Sequence, residues 1–201
     1  MTYTLQLETP VGPVTITATG EAVTQIRFGT AVPEGSAAVP ETAATPLLLK
    51  AAAQLREYFA GTRRDFSLPL APAGTPFQQS VWQALQTIPY GETRTYGHIA
   101  IQIGHNKSFR AVGMANNRNP IVIVIPCHRV LGYDGKLTGY AGGLDIKERC
   151  SPWKSGDNAP RRQARKTQSH PHEKMRGTVS RAPHLHIPPG QSPNAKALMP
   201  S

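Results

Sequence analysis

The chain has 201 residues, 39% of them hydrophobic, which is enough for an ordinary globular core. No segment approaches the roughly 18 apolar residues of a membrane span, and no basic start precedes an apolar stretch, so a soluble cytoplasmic protein with no membrane partner is expected. The net charge of +10 is uneven: residues 1–150 carry 13 Lys/Arg against 10 Asp/Glu, and residues 151–201 carry 9 against 2, so overall basicity is weak evidence for a polyanionic partner.

The first 30 residues alternate in three β-type runs, Tyr3 to Leu7, Val14 to Ala18 and Val23 to Phe28, parted by Pro10-Val11-Gly12-Pro13 and by Gly20-Glu21. This pattern predicts a small antiparallel meander. After a Pro/Gly/Ala loop, Leu48, Leu49, Ala52, Leu55, Tyr58 and Phe59 fall at helical spacing within Pro46–Phe59, and Gly61 stops that helix. Phe66 to Leu70 reads as a further short strand, and Ala71-Pro72-Ala73-Gly74 as a linker to a second unit.

That second unit opens on Thr75-Pro76-Phe77-Gln78, where Thr caps, Pro suits the first helical position and Gln completes a capping box. Phe77, Val81, Trp82, Leu85 and Ile88 then form one apolar face, ended by Pro89-Tyr90-Gly91. A short helix is expected from Thr95 to Gly104 and another from about Ser108 to Asn117. Joined at Gly104-His105-Asn106-Lys107, they have the outline of a helix-turn-helix. The second helix surrounds Arg110 with the small residues Ala111, Gly113 and Ala115, a low face able to approach a backbone closely.

Ile121 to Ile125 is a wholly apolar run that reads as a strand, ending at Pro126 and delivering Cys127 and His128 where the chain should turn. Only Cys127 and Cys150 occur, which excludes a disulfide framework and a four-cysteine zinc site. A lone cysteine beside a histidine is a candidate nucleophile, although such pairs are also common in cores. A thiol of ordinary pKa, about 8.5, is only a few per cent ionised at neutral pH, so a base must help. Neighbouring side chains in a strand point to opposite faces, so His128 would reach the sulfur only across a turn or through a water.

Three blocks carry a resemblance: GTPFQQSVWQALQTIPYGETRTYGHIA, then FRAVGMANNRNPI, then IPCHRVLGYDGKLTGYAGGL. Together they resemble the catalytic domain of the O6-alkylguanine-DNA alkyltransferases, in their stand-alone bacterial-type form. The resemblance implies an α+β fold: a small N-terminal antiparallel-sheet, ribonuclease-H-like domain (residues 1–72) and a mostly helical domain (73–149) containing the helix-turn-helix. It implies a monomer that binds double-stranded DNA containing alkylated guanine on the minor-groove side and flips the lesion outward. The alkyl group passes irreversibly to Cys127, once per molecule and without cofactors; O4-alkylthymine is a further possible lesion.

By the same resemblance Arg110 matches the finger that fills the vacated base stack, and Tyr96 the tyrosine that rotates the target nucleotide. Gly97, His105, Ala111 and Gly113 complete the DNA contact. His128 accepts the thiol proton through water, Asn119 braces the active-site turn, and Tyr140 in the Gly139–Gly143 loop protonates the departing guanine. Val130, Ala141 and Gly142 line the base pocket. No metal is expected, since His98, His105 and His128 are the only histidines before residue 150 and lack ligand spacing.

The family pattern ends abruptly after Leu144-Asp145-Ile146-Lys147-Glu148-Arg149. Family members continue with a helix ending in an acid that contacts the catalytic histidine; here Pro152 interrupts it and the acid's position falls on or near Lys154. Residues 150–201, rich in Pro, Arg, His and Ser, are expected to be disordered. They read as a basic extension that adds salt-sensitive phosphate affinity or, the reading favoured by the abrupt break, as an out-of-frame terminus. Loss of the acid should slow alkyl transfer and leaves a second reading, a protein that flips alkylated bases with little or no transfer. A Cys-His hydrolase is a third, but no third residue or oxyanion loop is recognisable.

Overall fold

A computed structural model describes residues 1–136 together with Gly143, Ile146, Lys147 and Cys150. The described residues all lie in one compact unit. None of their helices is long and apolar enough to cross a membrane.

Strands β1 (Thr2–Leu7), β2 (Val14–Ala18) and β3 (Val23–Phe28) form the expected antiparallel meander, with Leu5 opposite Ile16 and Ile16 opposite Ile26. Gly12 adopts φ +101° in the first turn, a conformation that a β-carbon would strain, and its N–H bonds the Thr9 carbonyl at 3.0 Å. Helix α1 (Pro46–Phe59) lies against this sheet, Leu48, Ala51, Ala52 and Leu55 being fully buried. Thr45 caps it by accepting from the Leu48 N–H at 3.3 Å.

Two expectations in this half need correction. The Pro/Gly/Ala loop contains a short strand, β4 (Ser36–Ala38), which pairs parallel to Thr2–Thr4 and makes the sheet mixed, in the order β3-β2-β1-β4. Ser-Ala-Ala has no β preference of its own; the free backbone edge of β1 imposes the extended form, and Ser36 adds a 2.6 Å hydroxyl contact to Thr4. Phe66 to Leu70 forms no strand, making only an isolated bridge from Leu70 to Val23.

Helix α2 (Pro76–Gln86) begins with the full Thr75/Gln78 capping box and buries Val81, Trp82, Ala84 and Leu85. Gly74 lies under the Trp82 ring, where an added β-carbon would fall 2.5 Å from the indole, so only glycine fits without displacing it. Helices α3 (Tyr96–Gln102) and α4 (Phe109–Asn117) follow, packed on each other and on α2. Thr95 and His98 form a second capping box at the start of α3. The Trp82 indole N–H donates to the Ala115 carbonyl at 2.9 Å, tying α2 to α4.

The edge of β3 is the seam between the two halves. The Ile26 N–H bonds the Pro120 carbonyl at 2.9 Å and the Val122 N–H bonds the Ile26 carbonyl at 3.0 Å. The same edge takes Pro69 and Ala71 through Val23. An otherwise open strand edge is thereby closed by the segment that leads into the reactive turn.

Candidate active site

Ile121 to Ile125 is not a strand. Ile123 has φ +73°, a region that costs a β-branched residue on the order of 1–3 kcal/mol, and the run doubles back on itself. The Val124 N–H bonds the Val122 carbonyl at 2.9 Å, and the Ile125 N–H bonds the Ile121 carbonyl at 3.0 Å. Pro126, at φ −80° and ψ 58°, makes an inverse γ-turn that brings the Cys127 N–H to the Ile125 carbonyl at 2.8 Å. Apolar β-branched residues serve a buried turn as well as a strand, and the turn wins here because Asn119 supplies its missing partners.

Asn119, itself 6% exposed, accepts from the Ile121 N–H at 3.0 Å and donates to the Ile125 carbonyl at 2.9 Å. Its amide nitrogen also lies 3.0 Å from the Cys127 Sγ. The two amide hydrogens thus serve the turn and the sulfur together. Asn116 on α4 adds a longer donation, 3.4 Å, to the Cys127 carbonyl.

Cys127–Arg129 form a single 3-10 turn, so Cys127 and His128 stand where the chain turns, as their place after Pro126 implied. Both are buried, Cys127 at 2% exposure and His128 at 0%. Burial, with the Arg129 and Lys147 cations nearby, pushes the His128 pKa down to about 3, which keeps the ring neutral and disfavours its imidazolium form. The Arg129 guanidinium donates to the Ile88 carbonyl at 2.7 Å and lies over the Tyr90 ring, with 5.6 Å to its centroid.

Two further residues reach this site from afar without belonging to any motif. Lys147 is fully buried and donates to the Val130 carbonyl at 2.8 Å. Burial lowers its pKa to about 8, while the charge of Cys127 pulls it upward, so an ammonium and the reactive sulfur attract one another. Tyr58 of α1 places its hydroxyl 3.3 Å from His128 Nε2 and 3.3 Å from the Cys150 carbonyl oxygen. Lys147 stands in the mostly charged run Leu144-Asp145-Ile146-Lys147-Glu148-Arg149, which gives no sign of its burial, and Tyr58 reads in the sequence only as part of a helix face.

The expected DNA-contact residues occupy α3, α4 and the turn between them. Arg110 and Ala111 are exposed, and Gly113 faces the Tyr96 ring, which a β-carbon there would meet at 3.8 Å. Gly97 sits in the first turn of α3, half-buried. His105 is exposed in the turn with its ring edge-to-face on Phe77 at 5.3 Å. Phe109 and Met114, 52% and 59% exposed, add apolar surface beside Arg110. Residues 93–133 contain no Asp or Glu, so the described helix-turn-helix carries only cationic charge.

Val130 is wholly buried and pairs with Arg94 in a two-residue parallel ladder, β5 (Arg94–Thr95) with β6 (Val130–Leu131). Tyr140, Ala141 and Gly142 lie outside the described residues, as do Lys154 and the rest of the 151–201 segment. Among the described residues no group of three His, Cys, Asp or Glu is arranged to hold a metal ion.

Residues 1–72 match the ribonuclease-like domain of 6-O-methylguanine DNA methyltransferase, and residues 76–152 match its DNA-binding domain. The methylated-DNA–protein-cysteine methyltransferase of Methanosarcina acetivorans is 51% identical over 148 residues, covering 73% of this chain and 94% of that one. The protein of the same name from Mycobacterium leprae is 46% identical over 149 residues, covering 73% and 88% respectively. The solved structure of Mycobacterium tuberculosis OGT in complex with DNA superposes with a TM-score of 0.69 at 44% identity, covering 75% of this chain and 91% of that one. An identity of this level over nearly the whole length of a relative, with both domain models matched in order, places the chain in the 6-O-methylguanine DNA methyltransferase family.

Proposed function

We propose that this protein repairs alkylated DNA by direct reversal, taking the alkyl group from O6 of guanine in a duplex onto the sulfur of Cys127, irreversibly and once per molecule. The observation that carries this reading is the 3.0 Å approach of the Asn119 amide to the Cys127 sulfur, inside a turn held by the same side chain. A donor and a nearby ammonium both favour the thiolate over the thiol.

The thiolate attacks the alkyl carbon as the carbon–O6 bond breaks, its electron pair passing to the guanine, which takes up a proton. The thiol proton passes to neutral His128, with a water between. The product is a thioether with no hydrolysable bond, so one molecule repairs one lesion. A sulfur at 2% exposure cannot reach a base within the stack, which is why the nucleotide must leave the helix.

Arg110 takes the place of the extruded nucleotide, and Tyr96, stacked near Gly113, turns the target phosphate outward. Ala111, Gly113 and Gly97 let the backbone approach, and His105 and the exposed Phe109 flank the groove. Tyr140 protonates the leaving base, and Val130, Ala141 and Gly142 border its pocket. Residues 1–72 and 73–149 serve as a supporting domain and a catalytic one, in a monomer that works in the cytoplasm. Retention of a positioned Cys127 favours transfer over lesion binding alone.

Incubation with duplex DNA carrying O6-methylguanine should add one methyl mass to the peptide containing Cys127, and Cys127→Ser should abolish the gain. An unchanged intact mass despite tight binding to the lesion duplex would refute the transfer reading.

A further inference from the structure

Among the described residues the hydroxyl of Tyr58 has one proton and three polar neighbours: the Cys150 carbonyl oxygen and His128 Nε2, each at 3.3 Å, and the Arg129 guanidinium, which can only donate to it. A carbonyl oxygen only accepts, so the proton goes to Cys150 and the hydroxyl oxygen is left to accept from Nε2–H. The ring of Tyr58 is held in place by Phe66, 5.2 Å between centroids, and by edge-to-face contacts with Phe59 and Tyr90. The hydroxyl is therefore a fixed acceptor.

We propose that Tyr58, a residue of the N-terminal half, is a positioning residue for alkyl transfer, holding His128 in the Nε2–H tautomer so that Nδ1 carries the lone pair that receives the Cys127 proton. The inference rests on Cys127 being the alkyl acceptor. It assigns a chemical task to α1, which lies outside the segment matched by the DNA-binding domain.

A neutral imidazole has a single N–H, and whichever group binds that N–H decides which nitrogen is basic. With Nε2–H on Tyr58, uptake of the thiol proton at Nδ1 gives an imidazolium whose Nε2–H keeps its acceptor. With the opposite tautomer Nδ1 would carry a hydrogen and no proton could be received there. The task resembles that of the acid which family members carry at about the position of Lys154 and which the sequence lacks here, but an uncharged phenol orients the ring without stabilising its positive charge.

The phenol remains protonated throughout, because burial raises its pKa to about 12. Among the described residues the charged groups that act on His128 are Arg129, on its own turn, and Lys147, and both oppose an imidazolium. That opposition makes a pre-set tautomer and a short-lived charge more consequential.

The test uses the full-length protein labelled with 15N-histidine, the His128 signals being assigned by their loss in His128→Gln. Long-range 1H–15N correlation should show His128 with a pyrrole-type Nε2 and a pyridine-type Nδ1. In Tyr58→Phe, which keeps the ring packing, the two forms should mix. Methyl transfer from O6-methylguanine duplex should slow by about tenfold, a fraction of what general-base help supplies. Its half-maximal rate should move to higher pH, while affinity for the lesion duplex stays the same.

An Nδ1–H tautomer in the unaltered protein overturns the proposal, as does a Tyr58→Phe variant with unchanged rate and pH profile. If Tyr58→Phe does not fold, the tautomer of the unaltered protein decides alone. Failure of the unaltered protein to methylate Cys127 would instead defeat the transfer reading and leave the tautomer result standing.

Discussion

Asn119 donates to the sulfur of Cys127 at 3.0 Å and to the carbonyl of Ile125 at 2.9 Å from the same amide nitrogen. Its oxygen meanwhile accepts from the Ile121 N–H. One side chain thus shapes the turn and serves the nucleophile that the turn presents. Asn119→Ala should therefore lower both stability and reactivity. The loss of buried partners predicts destabilisation of roughly 2–4 kcal/mol. Denaturant unfolding would read that change, and the rate of mass gain on O6-methylguanine duplex should fall at least about tenfold at temperatures where the variant is folded.

Arg110 is exposed on α4 between Phe109 and Ala111, and its proposed task concerns the duplex rather than the sulfur. Arg110→Ala should slow transfer from O6-methylguanine in duplex DNA by on the order of tenfold, corresponding to ~1.4 kcal/mol of lost help in extruding the base. Transfer from the free base O6-methylguanine should stay unchanged. Comparing the two substrates by intact mass separates flipping from chemistry, and equal losses on both would remove Arg110 from the flipping step.

Lys147 is charged below about pH 8 and neutral above it, because burial depresses its pKa. Its support for the Cys127 thiolate should fade as pH rises through 8. The transfer rate of the unaltered protein is expected to level off or fall above that pH. Lys147→Met, which keeps much of the buried volume, should be slower at pH 7 by about tenfold and should show only the rise that follows thiol ionisation. Rates from pH 6 to 9.5 check this.

His128 provides a stability signature independent of DNA. Its folded pKa of about 3 lies below the ordinary 6.5, so between those values the unfolded chain binds a proton that the folded chain does not. Stability is unaffected by this group above about pH 6.5 and declines as pH falls toward 3, with a slope approaching 1.4 kcal/mol per pH unit. Denaturant midpoints at pH 7 and pH 5 should differ by more in the unaltered protein than in His128→Gln.

Local sequence was sufficient for β1 to β3, for α1 to within a residue and for the starts of α2 and α3, because alternation and capping boxes act within a few residues. The three motif blocks single out Cys127, His128, Asn119, Tyr96 and Arg110 as candidates. Tertiary structure decided the rest. A run of five apolar β-branched residues satisfies a strand or a buried turn equally, and Ile121 to Ile125 became a turn only because Asn119 and the edge of β3 take up its backbone groups. Ser36–Ala38 is extended because β1 had an unpaired edge. The environment of Cys127 and His128 draws on Lys147 and on Tyr58, 70 positions before His128. No periodicity within an element reports such a contact, since it is made by the packing of the two halves.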